Sequence, residues 1–355
     1  MANPKIKRIA ICGVQVPFIF GGAELLEQSL AKQLTDRGHD VSLIRVPFKW
    51  YPRQELLSSA LVWRLMDLQE SNGEKIDLLI CTRYPTYVVR HPRKALWLFH
   101  QHRQAYDLAG TQFSDFTEED NGTSQAIRKI DNKFIPECQP VYTISQNVSA
   151  RLKRFNGIDS APLYPPPPFV PASSKEDRYD PFILYVGRLT TMKRPHLLIE
   201  AMQYVKSPVR CVIVGRADTQ AYHSHLISMI ERSDKKNRIE LLGFVNTDQL
   251  QRLYTTASGV FNGPVDEDYG FVTLEALLAR RPVITTSDGG GTLEFVVNRE
   301  TGFIVAPNPV EIAEAMDLLV ADSNLARRLG AQGSDFAKQK NITWDNVIAS
   351  LLGER

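Results

Sequence analysis

Short apolar runs alternate with amphipathic stretches along nearly all of the 355 residues. In the first half the runs RIAICGV, DVSLIRVP, IDLLICTR, KALWLFH and PVYTIS have the length and the β-branched content of buried strands. Between them, AELLEQSLAKQLTDRG and NVSARLKRFNG repeat apolar positions every three to four residues, which predicts helices with one buried face. A second series follows, FILYVGR, VRCVIVGR, RIELLGF, GVFNGP, RPVITTS and TGFIVAP, again with helical patterns between. Strands this apolar, separated by helices, predict parallel sheets covered on both faces.

The stretch PLYPPPPFVPASSKEDRYDP, residues 162–181, divides the two series; it is rich in proline and charge and has no periodicity. Such a segment reads as a linker, and the length of the chain also favours about two domains. The chain therefore reads as α/β, with two doubly wound Rossmann-like domains at residues 1–165 and 182–335. A linker at 166–181 joins them, a helical segment at 336–355 follows, and no significant internal repeat relates the halves. Ligands of such sheets bind beyond the carboxyl ends of the strands. Two such domains facing each other would turn both sets of ends toward a central cleft, so chemistry is sought at the strand-to-helix turns.

Composition changes this picture little. Hydrophobic residues at 43% and charged residues at 23% are those of a soluble globular chain. A net charge of +2 gives no support for nucleic acid as the main partner. The first 170 residues hold 21 Lys and Arg against 17 Asp and Glu, the remainder 21 against 23, which hints at an anionic partner or a membrane surface for the amino half. Cys12, Cys81, Cys138 and Cys211 stand singly inside apolar runs and read as reduced core residues of a cytoplasmic protein. Lys5, Lys7 and Arg8 before IAICGVQVPFIF imitate a secretory leader, but Pro17 interrupts the run and an amphipathic helix follows, so a first buried strand is the better reading. No apolar stretch reaches about 18 residues, hence none spans a membrane. The sequons at Asn121, Asn147 and Asn341 carry no information without a secretory route.

Several turns carry candidate chemistry. In YVGRLTTMKRPHLLIEAM, Arg188 and Lys193 follow the end of a strand at Gly187 and precede a helix opening near Pro195. Two cations there suit a diphosphate, Arg by a fork and Lys by a mobile point charge, although Lys and Arg are also common in solvated turns. Gly21 and Gly22 occupy the first strand-to-helix turn, where paired glycines let the backbone approach an anion at a helix N-terminus, or simply make a tight turn. The pattern is not G-x-G-x-x-G, and Val46 and Pro47 stand where a dinucleotide site would have an acid. Gly289, Gly290 and Gly291 repeat that logic before a predicted helix carrying Glu294. His100 ends a long buried strand, with His102 and Arg103 next, whereas His39 reads as a turn residue.

The stretch PVDEDYGFVTLEAL gathers Asp266, Glu267 and Asp268 before a helix that the pattern starts near Phe271, with Glu275 in its second turn. Eight helical residues would span about 12 Å, more than the roughly 5 to 9.5 Å between paired catalytic carboxylates. Glu267 and Glu275 therefore suit two ends of one elongated ligand, since carboxylates accept hydrogen bonds from vicinal hydroxyls and the helix N-terminus between them can receive a phosphate. Asp266-Glu267-Asp268 also spells D-x-D, a metal signature of another class of sugar transferases, but that signature belongs in a nucleotide-binding half of a single domain. A solvated acidic loop is the plain alternative.

Together these residues resemble the retaining glycosyltransferases of family four, which have the two-domain GT-B fold. The resemblance rests on GGAE at the first turn, RGHDV before strand two, G-R-L-x-x-x-K-R, E-x7-E from Glu267 to Glu275 within EDYGFVTLEALLARRPVITT, and GG-x-x-E. The pieces WLFHQHRQAYDL and RLKRFNGIDSAPLYPPP look like bacterial members that build surface polysaccharides and glycolipids. The resemblance implies that Arg188 and Lys193 hold the diphosphate of a nucleoside diphosphate sugar, Glu275 the ribose hydroxyls, and Glu267 the transferred sugar. Backbone from Gly270 through Phe271, Val272 and Leu274 would help at sugar and phosphate. Gly22 would approach the diphosphate, His100 would contact the sugar, and Phe244 and Val245 would lie near the base. GRAD at 215–218 departs from the G-x-G of relatives and leaves base contacts there unassigned, and the GGG run leaves the sugar-side register open by one residue.

The same resemblance implies a hexosyltransferase that keeps the anomeric configuration, needs no metal and no cofactor, and uses a UDP- or GDP-sugar as co-substrate. Its acceptor, a glycan or lipid-linked hydroxyl, would bind the amino-terminal domain, at KWYPRQ (49–54) or the loop RQAYDLAGTQFSDFTEED after His102. The final helix TWDNVIASLLGER would cross back onto the first domain, and the protein would be cytoplasmic with possible peripheral contact to the inner face of the membrane. Two other readings stay open at this point: another sugar-nucleotide-modifying enzyme, and a catalytically silent member serving as a binding subunit of a glycosyltransferase assembly.

Overall fold

The computed structural model describes residues 7–19, 21–116, 121–171 and 178–354. Lys5, the end of the candidate acceptor loop at 117–120 and the centre of the linker at 172–177 lie outside the described residues. The chain forms two compact units, Met1–Pro168 with Thr343–Arg355, and Phe169–Ile342.

Unit 1 is built on strands β1 (Arg8–Gln15), β2 (Asp40–Pro47), β5 (Leu78–Arg83), β6 (Lys94–His100), β7 (Val141–Thr143) and β8 (Ala161–Pro162), with a small hairpin of β3 (Glu70–Ser71) and β4 (Glu74–Lys75). Apart from that antiparallel hairpin, the strands pair in parallel in the order β2-β1-β5-β6-β7-β8. Central β5 and β6 are buried almost throughout, with apolar residues filling the middle of each strand, whereas edge strand β2 is only partly covered. Helices α1 (Gly22–Asp36), α2 (Gln54–Leu65), α3 (Asn121–Phe134) and α4 (Gln146–Asn156) connect the strands. Ser145 opens α4 by accepting the Val148 N–H, and Gly157 closes it in the left-handed region.

The apolar period does not show α2. Leu56, Ala60 and Trp63 face inward, but Leu61, Val62 and Leu65 cover its outer face, so apolar residues surround the helix and no stripe stands out.

The GGAE sequence has a structural role in this unit. Glu24 accepts the Gly21 N–H at 2.8 Å and pairs with Arg83 at 2.9 Å. Arg83 also reaches fully buried Glu27 at 3.2 Å, and Arg45 closes the group at 3.0 Å from Glu27. Removing one partner from a buried ion pair leaves an uncompensated charge and is costly, so these residues depend on one another. A Cβ at Gly13 would stand 2.6 Å from the Glu27 carboxylate, so glycine there makes room for the network.

Unit 2 repeats the architecture with β9 (Asp180–Val186), β10 (Arg210–Val214), β11 (Ile239–Gly243), β12 (Ala257–Phe261), β13 (Val283–Thr286) and β14 (Gly302–Val305). Its sheet is parallel in the order β11-β10-β9-β12-β13-β14. The order reverses between β9 and β12, and loops leaving such a switch point diverge to leave a crevice. Helices α5 (Pro195–Ala201), α6 (Gln220–Arg232), α7 (Thr247–Thr256), α8 (Phe271–Leu278), α9 (Pro309–Ala321) and α10 (Ser323–Gln339) cover the faces. The core lies between β9, β10 and helices α5 and α9, with Ile183, Leu198, Ile213, Met316 and Leu319 fully buried.

Two details differ from the sequence pattern. After the glycine run the chain makes a 3₁₀ turn, Gly291–Glu294, instead of a helix, because Thr292 hydrogen-bonds back to Gly289 and to Thr285. Unit 2 also runs past residue 335: α10 ends at Gln339 and the chain rejoins unit 1 at Thr343. There α11 (Trp344–Leu352) packs on unit 1 through Trp344 against Trp97, ring centroids 6.3 Å apart, and through an ion pair of Asp345 with Arg37. Among the described residues no helix is long and apolar enough to cross a membrane.

Candidate functional site

The two strands flanking the switch point of unit 2 carry the two predicted loops. Strand β9 ends at Val186, and Gly187 (φ 147°) turns the chain so that Arg188 and Lys193 follow in the next few residues. A Cβ at neighbouring Gly215 would fall 1.8 Å from the Gly187 carbonyl oxygen, so the β9 and β10 turns approach as only glycine allows. Tyr185 donates its hydroxyl to the Arg188 carbonyl at 3.1 Å and holds the turn from the core side.

The acid loop leaves β12 and is fixed on both sides. The Val265 N–H donates to the Met192 carbonyl at 2.8 Å, the Asp266 N–H to Asp288 at 2.8 Å and the Glu267 N–H to Gly289 at 3.1 Å. The Gly291 N–H returns to the Glu267 carbonyl at 2.7 Å. The glycine run makes this seam possible: a Cβ on Gly290 (φ 62°) would stand 2.6 Å from the Asp266 backbone.

The seam brings Lys193 and Glu267 together, with Nζ and Oε2 2.5 Å apart and both side chains mostly covered. Arg188 stays at the surface in a 3.3 Å pair with Asp218. Exposed pairs of this kind contribute little, so an incoming anion can replace it cheaply. Gly270 caps α8 in the left-handed region (φ 93°), followed by Phe271, Val272 and Leu274. The first N–H groups of a helix lack intrahelical acceptors and favour negative charge. Leu274 is buried.

Glu275 lies at the same end of unit 2, buried, and accepts the Tyr254 hydroxyl at 2.7 Å. Burial pushes its carboxyl up to about 7, against the opposing effect of the Tyr254 hydrogen bond. Phe244 projects from the turn after β11, exposed, with the Arg216 guanidinium 5.2 Å over its ring, and Val245 beside it is half-buried. Asp266 (φ 40°) is a turn residue, and among the described residues no three or more His, Cys, Asp or Glu are grouped to hold a metal.

Two predicted residues belong to unit 1. Gly22 is the first residue of α1, and His100 ends β6 with its Nδ1 2.7 Å from the Gln101 carbonyl. His102 is instead packed among Phe48, Tyr84 and Phe116 and pushed down to about 4 by burial.

Sequence reasoning passed over three residues. Tyr254 lies in α7, 21 positions before the glutamate it touches, and no local pattern marks it. Arg194 and Asp288 form a forked ion pair at 2.9 and 2.8 Å. Arg194 adopts φ 52°, a conformation that nothing in its sequence surroundings announces.

An electropositive turn, a helix N-terminus and two carboxylates at a switch point suit an anionic, polyhydroxylated ligand. Residues 168–336 match the family model of glycosyl transferases group 1. An uncharacterized glycosyltransferase of Methanocaldococcus jannaschii is 26% identical over 386 aligned positions, covering 95% of this chain and 94% of that protein. The human alpha-1,3/1,6-mannosyltransferase is 26% identical over 171 positions, 44% of this chain and 41% of that one, so the match spans less than half of that relative. The Anabaena protein HepE, solved in complex with UDP-glucose, superposes with a TM-score of 0.71 at 18% identity, over 98% of this chain and all of that one. The fold is that of the GT-B glycosyltransferases, and over residues 168–336 the chain is similar to glycosyl transferases group 1.

Proposed function

We propose that the chain moves a hexose-type sugar from a nucleoside diphosphate sugar to a hydroxyl of a glycan or lipid-linked acceptor, with retained configuration and without a metal. One observation carries the reading: Lys193, Glu267 and the α8 N-terminus meet where the sheet order of unit 2 reverses. Lys193 and Arg188 bind the diphosphate, Glu275 accepts the ribose hydroxyls, and Glu267 holds the sugar. Arg216 and Phe244 offer a flat cationic and aromatic surface on which a base can stack. A uridine donor is favoured, because the Anabaena neighbour was solved with UDP-glucose.

In the reaction the anomeric C–O bond to the diphosphate breaks and a new C–O bond to the acceptor oxygen forms on the same face. The acceptor proton passes to the departing phosphate oxygen, so no covalent nucleophile is needed. Negative charge gathers on the diphosphate, where cations and helix N–H groups set in advance stabilise it. Unit 1 binds the acceptor, with Trp50, Tyr51 and neighbouring Lys49 as a surface suited to a sugar or a lipid headgroup at the cytoplasmic face of a membrane. The test is a thermal-shift panel of UDP-, GDP-, ADP- and TDP-sugars with mass spectrometry of the released sugar. Stabilisation by one donor with transfer is expected; no stabilisation by any of them would overturn the reading.

A further inference from the structure

The pair Arg194–Asp288 lies one residue from Lys193 on one side and next to the carbonyls that hold the acid loop on the other. Its geometry is a planar fork, Nη1 to Oδ1 at 2.9 Å and Nη2 to Oδ2 at 2.8 Å, with the Arg194 side chain largely covered. Bidentate pairing of this kind fixes orientation as well as distance. Asp288 performs two tasks at once. Its carboxylate takes the arginine, and its backbone carbonyl takes the Asp266 N–H, the residue before Glu267.

On the other side, Arg194 is the residue that starts α5, and its own N–H donates to the Thr190 carbonyl at 3.1 Å, closing the turn that presents Lys193. The cost is visible in the backbone, for arginine in the left-handed region (φ 52°) is strained where glycine would not be. A strained residue at a site persists when its side chain contributes something the surroundings need. The side chain here joins the cation turn to the glycine loop across a separation of 94 residues.

We propose that Arg194 and Asp288 are positioning residues that set the spacing between Lys193 and Glu267, and so align the donor diphosphate with its sugar. The inference rests on the donor reading above. The fork keeps the two loops in register when the Lys193–Glu267 pair opens to admit ligand. The backbone hydrogen bonds at Val265, Asp266 and Glu267 tie the main chains of these loops, and the fork adds a side-chain tie that fixes orientation as well as distance.

Arg194→Gly separates structure from positioning, because glycine relieves the strained φ while removing the fork. We expect an unchanged or higher melting temperature, faster hydrogen exchange at the Val265, Asp266 and Glu267 amides, and a fall in kcat of about 10- to 100-fold, the range for an ångström of misalignment, with a smaller change in donor KM. Asp288→Asn keeps the side-chain volume and should act in the same direction. The double variant should be no worse than Arg194→Gly alone, since both remove one interaction. Unchanged amide exchange in Arg194→Gly, or kcat within twofold of wild type in both single variants, overturns the proposal while leaving the donor reading intact. A wild-type chain that binds none of UDP-, GDP-, ADP- or TDP-glucose overturns the donor reading itself, and with it the role of the fork.

Discussion

Lys193 and Glu267 stand 74 residues apart in the chain and meet at 2.5 Å, each satisfying the charge the other would carry alone. In the proposed site these side chains address different parts of the donor, so binding must exchange this contact for two others. Glu267→Gln removes the competitor for Lys193 without emptying the space. The expected result is UDP affinity equal to wild type or several-fold tighter, with sugar transfer reduced by at least about 100-fold, a loss usual for one preorganised polar group at a reacting centre. Calorimetry with UDP and a transfer assay on the same sample measure both; a parallel loss of UDP affinity would contradict the division of roles.

Lys193→Ala should act the other way. The diphosphate loses a charge-assisted partner, so UDP affinity should fall by roughly 10- to 100-fold. Arg188→Ala, which ends only an exposed 3.3 Å pair in the free protein, should weaken UDP binding without lowering the melting temperature. Equal UDP affinity in wild type and Lys193→Ala would remove the cation turn from the site.

Activity should survive EDTA. The expectation follows from the proposed reading, in which cations and helix N–H groups, rather than a metal held by Asp266 and Asp268, neutralise the departing diphosphate. Loss of transfer in EDTA, restored by Mn²⁺ or Mg²⁺, would return these acids to a metal.

Sheet strands and loop chemistry differ in how plainly the sequence shows them. The middle residues of β5, β6, β9 and β10 are buried on both faces, so burial alone writes these segments as apolar runs. Gly187, Gly270 and Gly290 are visible for a similar reason, since positive φ admits few other residues there. What joins these turns is not local. Asp288 finds Arg194 and Tyr254 finds Glu275 only after the sheet order places their loops together, and neither pairing has a spacing that a reader of one sequence could recognise. Outward-facing Leu61, Val62 and Leu65 hid α2 by erasing its period, a case where surface composition overrode the pattern of the core.

The glycine seam gives a prediction for Gly290→Ala. The added Cβ meets the Asp266 carbonyl carbon and the Glu267 nitrogen at 2.6 Å, backbone atoms that cannot step aside, and φ 62° strains any L-residue. A loss of about 2 kcal/mol or more is expected, lowering the melting temperature by several degrees, and UDP affinity should fall with it. Gly38→Ala has positive φ but open space around its Cβ and controls for strain alone. A Gly290→Ala variant with wild-type melting would show that the acid loop can retreat.

Glu275 gives the pH dependence. Its carboxyl is raised from 4.5 to about 7 by burial, so the folded chain holds this proton more tightly than the unfolded one. Folding stability from this group is therefore fully present below about pH 4.5 and declines as pH rises toward 7. Ligand binding should run in the opposite sense, because ribose hydroxyls donate best to the ionised carboxylate. Affinity for UDP-glucose, whose diphosphate does not titrate in this range, should rise about tenfold from pH 6 to pH 8 as the ionised fraction grows. Tyr254 lowers the carboxyl through its 2.7 Å hydrogen bond, so Tyr254→Phe should move the midpoint of that rise to higher pH. Calorimetric titrations at half-unit intervals resolve both effects, and a flat affinity from pH 6 to pH 8 in the wild type would show that Glu275 does not receive the ribose as a carboxylate.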